Sequence, residues 1–168
     1  MTRVTTRPTS AAPSLLGGSI EMPPAPCTHA PPRPVAPGPG EEGPAGTVAG
    51  IGAGQMGLPL AAQFALHGWR VIAVDVNPAV VEAINAGRSH VSEEPGLGEI
   101  VAEVHGAGRL RATADGAEAA READVVVLIV PVMLDDEQQP DYRFMDSAVA
   151  SIAPGLHAGS VVIFETTL

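Results

Sequence analysis

Lysine is absent from the sequence, and cysteine, aromatic residues and long apolar runs are scarce. Cys27 is the only cysteine, so the chain forms no intramolecular disulfide and has no cysteine cluster for zinc. This favours a reducing compartment and predicts a cytoplasmic protein. The longest apolar run, Val125–Leu134, has ten residues, about half of what a membrane-spanning helix needs. We therefore expect no membrane association.

The charge is strongly negative, with nine basic residues, all arginine, against 19 acidic ones and a formal net charge of −10. The excess lies after residue 46, because residues 1–46 hold three arginines and three glutamates. Such a surface repels phosphate backbones, so nucleic acid is not expected as a partner. Any nucleotide ligand must be held by local groups rather than by bulk attraction.

The composition divides the chain into two parts. Residues 1–46 contain 11 of the 17 prolines and no periodic apolar face, which predicts a disordered tail. From residue 47 to residue 168, short apolar runs alternate with helical patterns, which is typical of repeated βα units around a parallel sheet. A chain of 168 residues is long enough for one such domain, without a separate substrate domain.

The fold class predicted for residues 47–168 is α/β, with a Rossmann-like, doubly wound parallel sheet. Five strands are expected, at Thr47–Ile51, Arg70–Val76, Leu110–Thr113, Asp124–Val130 and Ser160–Glu165. The helices between them have recognisable ends. One helix is predicted to begin at Asn77-Pro78, with the asparagine as its cap, and to end at Gly87. Two short helices are expected over Leu97–Val104 and Gly116–Arg121. Asp141 is expected to cap a further helix, which carries Phe144 and Met145.

The strongest functional motif is the run Gly52-Ala53-Gly54-Gln55-Met56-Gly57, which follows an apolar strand and opens a helix. The first glycine permits a tight turn, the second lets a diphosphate approach the backbone, and the third lets the helix pack closely on the strand. The N–H groups at the start of the helix then bind the diphosphate without a basic side chain. A nucleotide can therefore bind at this turn although the acidic surface repels phosphate groups.

Asp75 is expected at the end of the second strand, 18 positions after Gly57. A carboxylate at this place accepts hydrogen bonds from the adenosine ribose and repels a 2′-phosphate, so NAD is favoured over NADP. An ordinary strand-to-helix turn and a solvated acid are the alternatives for the glycines and for Asp75. The joint spacing favours a dinucleotide site.

Other polar groups give weaker signals. The five histidines are far apart and lack metal-ligand spacing, and Asp135-Asp136-Glu137 is interpreted as a solvated connector, so no metal site is expected. Glu93-Glu94 is interpreted equally well as the acidic start of a helix or as a ligand contact.

Residues 47–168 resemble the nucleotide-sugar 6-dehydrogenases, the family that acts on UDP-glucose, UDP-N-acetylhexosamines and GDP-mannose. The run Gly52–Ala61, the stretch Val74–Asn77 and above all Glu94-Pro95-Gly96-Leu97 carry the resemblance. Further matches lie at Val130-Pro131 and at Glu165-Thr166-Thr167. The resemblance implies a family N-terminal NAD-binding domain, and NAD as its cofactor.

The resemblance also implies roles for single residues. Gly52, Gly54, Gln55, Met56 and Gly57 would line the diphosphate, Asp75 would bind the ribose, and Val132 and Thr167 would lie near the rest of the cofactor. Three positions depart from the family pattern. Val132 and Met133 replace the Thr-Pro of a Pro-Thr-Pro stretch, and Val80 replaces a basic residue. Weaker NAD binding and a variant motif of a related branch are the two interpretations of these departures.

Members of this family oxidise a sugar C6 alcohol to a carboxylate with NAD, using a downstream cysteine. Cys27 lies in the proline-rich tail and is not expected to replace it, so no catalytic residue is assigned in this chain. The main functional hypothesis is the NAD-binding part of such an enzyme, with the nucleotide sugar bound only alongside a missing half. Two alternatives are the cofactor domain of a 3-hydroxyacid or 6-phosphogluconate type of dehydrogenase and a noncatalytic NAD-binding remnant.

Overall fold

A computed structural model of the protein describes residues 45–135 and 137–165. The predicted disordered tail, residues 1–46, therefore lies outside the described residues except for Ala45 and Gly46. The elements in chain order are β1 (Thr47–Ile51), α1 (Gly57–Leu66), β2 (Arg70–Val74), α2 (Pro78–Asn85), α3 (Leu97–Gly106), β3 (Leu110–Thr113), α4 (Gly116–Glu122), β4 (Val125–Leu128), β5 (Met133–Leu134), β6 (Pro140–Asp141), α5 (Arg143–Ile152), a short 3₁₀ turn (Ala153–Gly155) and β7 (Val161–Phe164).

Five of these strands form one parallel sheet in the order β3-β2-β1-β4-β7. The chain starts in the middle of the sheet, extends to one edge through β2 and β3, and then crosses to build the other side. This is a doubly wound, Rossmann-like arrangement, and it confirms the predicted fold class.

The helices begin and end where local chemistry favours it. The side chain of Asn77 accepts a hydrogen bond from the N–H of Ala79 at 3.0 Å and caps α2, whose first residue is Pro78. Asp115 caps α4 in the same way, through the N–H of Glu118 at 2.9 Å. Gly68 and Gly87 follow α1 and α2 with φ of +92° and +68°, a backbone region that favours glycine. The predicted helix end at Gly87 is therefore confirmed.

Two apolar cores lie on opposite faces of the sheet. On one face α1, α2 and α3 cover β1, β2 and β3, with Leu58, Ile84 and Val101 fully buried. On the other face α4 and α5 cover the centre of the sheet, with Leu128 and Ile152 fully buried. The parallel strands are apolar on both faces because helices cover both.

The structure corrects several predicted boundaries. β2 ends at Val74 instead of Val76, and β4 covers only Val125–Leu128, because the backbone leaves the sheet after these residues. The antiparallel β5–β6 pair was not predicted, since two-residue strands carry no readable periodicity. Asp141 belongs to β6 and not to the cap position of α5, which Tyr142 occupies. It still accepts the N–H of Arg143 at 3.1 Å.

The two edge strands of the sheet differ in whether their outer backbone groups have hydrogen-bond partners. At the β3 edge, the side-chain amide of Asn85 pairs with both backbone groups of Ala112, donating to its carbonyl at 2.9 Å and accepting its N–H at 2.7 Å. At the β7 edge, no described strand or side chain pairs with the outer side, and Val161, Ile163 and Phe164 are exposed. The predicted strand at Ser160–Glu165 is thus present as Val161–Phe164 and forms an open edge.

Candidate functional site: the cleft at the carboxyl ends of the strands

A cleft of about 390 Å³ lies at the carboxyl ends of β1, β2 and β4. The chain leaves β1 toward one side of the sheet and β4 toward the other, so the cleft opens where the winding direction changes. In open α/β sheets this switch point is the usual place for ligands. Gly52, Asp75 and Val130 line one side of it, and α5 lines the other with Phe144, Ser147 and Ser151.

Gly52 and Gly57 shape the turn that joins β1 to α1. Gly52 has φ of +96°, and a Cβ on it would lie 2.6 Å from the carbonyl oxygen of Ile129. A Cβ on Gly57 would lie 1.8 Å from the carbonyl oxygen of Gly52. The two glycines therefore allow α1 to pack directly on the end of the strand, which is the structural role that the motif predicts for its first and third glycines.

Gly54 differs from both. An added Cβ would meet nothing within 4 Å, and its φ lies outside the region that demands glycine. The backbone N–H groups of Gly54, Gln55, Met56 and Gly57 find no hydrogen-bond acceptor within the part of the chain that the structure describes. They lie at the positive end of α1, whose first turn carries no acidic residue. The turn is thus open to an anion.

The Asp75 carboxylate contacts this turn directly. Its Oδ2 accepts the N–H of Ala53 at 3.0 Å and its Oδ1 accepts the N–H of Asn77 at 2.9 Å. The acid joins the glycine turn to the start of α2, so it has a structural role of its own. A carboxylate has about four lone-pair positions, and two remain for hydroxyl donors from the cleft. Asp75 therefore lies beside the glycine turn, in agreement with the spacing of the dinucleotide motif.

A further carboxylate reaches the turn from the loop between α2 and α3. The side-chain amide of Gln55 donates a hydrogen bond to Glu93, and both side chains are exposed. Glu93 is one of the two acids for which the sequence left a ligand contact and a helix start equally open. In the structure it precedes α3, which begins at Leu97, and it faces the glycine turn.

The α5 wall of the cleft begins with a short-range ion pair. Arg143 donates from its Nη2 to Oδ2 of Asp141 at 2.6 Å and from its Nε at 2.8 Å. These hydrogen bonds lower the pKa of the Asp141 carboxyl below its ordinary value and raise that of Arg143. Phe144, the next residue, is 54% exposed and presents its ring to the cleft.

Of the residues predicted to bind the cofactor, Gly52 and Asp75 line this cleft. Gly54, Gln55, Met56 and Gly57 lie in the adjoining turn that leads into α1, outside the lining of the cleft. Val132 packs against the core beneath α4 and α5, and its predicted role stays a prediction. Thr167 lies outside the described residues. The cleft is also lined by Phe144, Ser147 and Ser151, which were not predicted as site residues, because apolar residues and serines on a helix do not indicate which face borders a ligand.

Within residues 45–135 and 137–165, no three histidine, aspartate or glutamate side chains are placed to hold a metal ion. In the same ranges, no helix is long and apolar enough to cross a membrane.

Comparison with known proteins gives the cleft its context. Residues 46–168 match the UDP-glucose/GDP-mannose dehydrogenase family, NAD binding domain. The chain belongs to this family. The match confirms the family predicted from Gly52–Ala61 and Glu94–Leu97, and NAD as the cofactor of the domain.

Individual family members agree with this assignment. The chain is 40% identical over 121 residues to a UDP-N-acetyl-D-mannosamine dehydrogenase of Salmonella typhi. The aligned region covers 72% of this chain and 28% of that protein. Among solved structures, the chain is similar to a UDP-glucose dehydrogenase of Pyrobaculum islandicum, with a TM-score of 0.68, 31% identity and coverage of 73% and 29%. The UDP-N-acetyl-mannosamine dehydrogenase Cap5O of Staphylococcus aureus gives a TM-score of 0.65, with 32% identity and coverage of 73% and 29%.

The chain therefore spans about 28% of the length of the curated relatives that it matches. The cleft and the glycine turn beside it fit NAD: Gly54 leaves room that a Cβ would fill, the turn offers free N–H groups, and Asp75 has two unused lone pairs.

Proposed function

We propose that the cleft binds NAD and that the protein is the NAD-binding part of a nucleotide-sugar dehydrogenase. The diphosphate is bound by the N–H groups of Gly54, Gln55, Met56 and Gly57, the adenosine ribose by Asp75, and the adenine beside Phe144. When bound, NAD supplies the hydride acceptor for alcohol oxidation. The residues of this chain bind and orient it.

The observation that carries the proposal is the contrast among the three glycines. Gly52 and Gly57 are needed by the fold, because a Cβ at either would collide with a backbone carbonyl. Gly54 is not, because its Cβ would point into open space. A ligand that approaches the backbone closely accounts for glycine at this position, and a diphosphate on a helix N-terminus approaches in that way.

The charge of Asp75 supports NAD over NADP. Its carboxylate is held at the rim of the cleft by two backbone N–H groups, so it cannot turn away from a ligand without leaving these donors unpaired. A 2′-phosphate would meet this fixed negative charge, whereas a ribose hydroxyl would donate to it.

The substitution Gly54→Ala tests the site. We expect NAD affinity to fall by about tenfold or more, since one methyl group at the diphosphate displaces it from the N–H donors. The unfolding free energy should change by less than about 1 kcal/mol, because the added Cβ meets no protein atom. Isothermal titration calorimetry with NAD and urea unfolding give the two readouts.

Gly98→Ala is the matched control. Gly98 is also exposed with nothing within 4 Å of an added Cβ, but it lies in α3 away from the cleft. This variant should bind NAD like the original chain and gain about 0.5–1 kcal/mol in stability, because alanine favours a helix. Unchanged NAD affinity in Gly54→Ala would contradict the proposed site.

For the whole protein we propose a nucleotide sugar as substrate, as in the relatives named above. The test is NADH formation with UDP-N-acetylmannosamine or UDP-glucose by the protein expressed from its natural gene. Oxidation of small 3-hydroxyacids instead would favour the second dehydrogenase class considered from the sequence. The cytoplasmic location stays a prediction. We also propose a homo-oligomer, because an unpaired strand edge such as that of Ser160–Glu165 recruits other chains.

A further inference from the structure

Glu93 is an unexpected neighbour for a diphosphate site. The glycine turn attracts an anion, and α1 has no acid in its first turn. Yet Gln55, in the middle of the turn, donates its side-chain amide to the carboxylate of Glu93. A negative charge from another loop is thereby hydrogen-bonded to a side chain of this turn.

The loop that carries Glu93 is anchored on both sides. Val91 and Leu97 are buried in the core, and the hydroxyl of Ser89 bonds to both the N–H and the carbonyl of Val91, at 3.1 and 2.9 Å. The N–H of Leu97 donates to the carbonyl of Glu94 at 3.2 Å, after a turn in which Gly96 has φ of +81°. The position of Glu93 is therefore set by the fold, and its side chain is the movable part.

No cation among the described residues neutralises this carboxylate. The ion pairs that the structure shows there join Arg111 to Glu122 and Arg143 to Asp141. Gln55 is uncharged, so its hydrogen bond fixes the direction of the carboxylate without removing the charge. Two like charges separated by a few ångströms in a partly solvated cleft repel each other measurably, and salt screens the repulsion.

We propose that Glu93 lowers the affinity of the cleft for NAD, with Gln55 holding its carboxylate against the diphosphate position. The cofactor binds after this carboxylate turns outward into solvent, so the Gln55–Glu93 contact is broken in the bound state. Glu93 acts as an affinity-setting residue and has no part in holding the ligand. This inference rests on the proposed NAD site at Gly54–Gly57.

The substitution Glu93→Gln separates charge from shape. Glutamine keeps an oxygen that accepts the hydrogen bond from Gln55, so the loop stays in place while the negative charge is lost. Glu94→Gln is the matched control, because it makes the same change one residue away, at an exposed side chain that forms no hydrogen bond with the glycine turn among the described residues.

The experiment is calorimetric titration of the full chain and of both variants with NAD, at about 20 mM and about 500 mM salt. We expect Glu93→Gln to bind NAD about three- to tenfold more tightly than the original chain at low salt, and the advantage to shrink below about twofold at high salt. Glu94→Gln should differ from the original chain by less than about twofold at both salt concentrations, since its charge is more distant.

The outcomes distinguish this inference from the proposed function. Tight binding by Glu93→Gln alone, with weak or undetectable binding by the original chain, supports both. If the original chain binds NAD and Glu93→Gln binds equally or more weakly, the charge effect is refuted while the NAD site stands. If none of the three proteins binds NAD while their unfolding curves show them folded, the NAD site and the role of Glu93 both fail.

Discussion

The two edges of the sheet differ in whether their outer backbone groups are hydrogen-bonded and their side chains covered. At the β3 edge, Asn85 fills the hydrogen-bonding positions that a further strand would use, and buried side chains of α2 and α3 cover the adjoining face. At the β7 edge, the strand is exposed on its outer side and three of its four side chains are exposed. Among the described residues, the β3 edge is therefore closed to a further strand, whereas the outer side of β7 is unpaired and its apolar side chains are exposed.

The largest expected difference concerns apolar burial. Ile84 of α2 is fully buried beneath the β3 half, whereas Ile163 of β7 is 41% exposed. We expect Ile84→Ala to lower the unfolding free energy by about 2–5 kcal/mol, since it leaves a cavity. Ile163→Ala should cost less than about 1 kcal/mol, because little apolar area is lost. Urea unfolding measures both, and equal costs would show that the two halves are equally packed.

A smaller effect is expected at Asn85. Asn85→Leu leaves the N–H and the carbonyl of Ala112 without their partner, and we expect a loss of about 1–3 kcal/mol in unfolding free energy. The control is Glu82→Leu on the same helix, an exposed residue for which a change within about 0.5 kcal/mol is expected. If Asn85→Leu is as stable as the control, the β3 edge does not depend on this side chain.

Of these variants, Ile163→Lys is expected to change the unfolding free energy least. It should nevertheless have a clear effect on self-association. A charge on an exposed edge strand discourages pairing with a second copy, so this variant should sediment as a monomer at concentrations where the original chain self-associates. The unfolding free energy should change by less than about 0.5 kcal/mol, because the site is exposed. The control is Leu156→Lys, an exposed apolar residue outside the strand. A monomeric original chain at high concentration would contradict the open-edge interpretation.

Features that depend on neighbouring residues were predictable from the sequence. The glycine turn, the Asn77 cap and the helix end at Gly87 each follow from a few adjacent residues, and the alternation of apolar runs with helical patterns identified the five sheet strands. The closeness of Asp75 to the turn followed from the spacing rule of a βαβ unit.

Features that join distant segments were not predictable. Asn85 and Ala112 are 27 positions apart, and Gln55 and Glu93 are 38 positions apart, so neither contact has a local signal. In the sequence, Phe144 cannot be distinguished from the other apolar residues of α5. It lies at the cleft because Met145 and Ile152 pack into the core and fix the orientation of the helix. The antiparallel β5–β6 pair is too short for any periodic pattern.

The contact between Gly57 and the carbonyl of Gly52 limits how this cleft can change. Neither residue can acquire a side chain unless helix and strand separate, so mutation at the two positions is restricted together. Gly54, Gln55 and Met56, which lie between them, carry no such restriction from the fold. Affinity for the dinucleotide can therefore be adjusted over generations, or by an engineer, at three adjacent sites while the surrounding architecture stays the same.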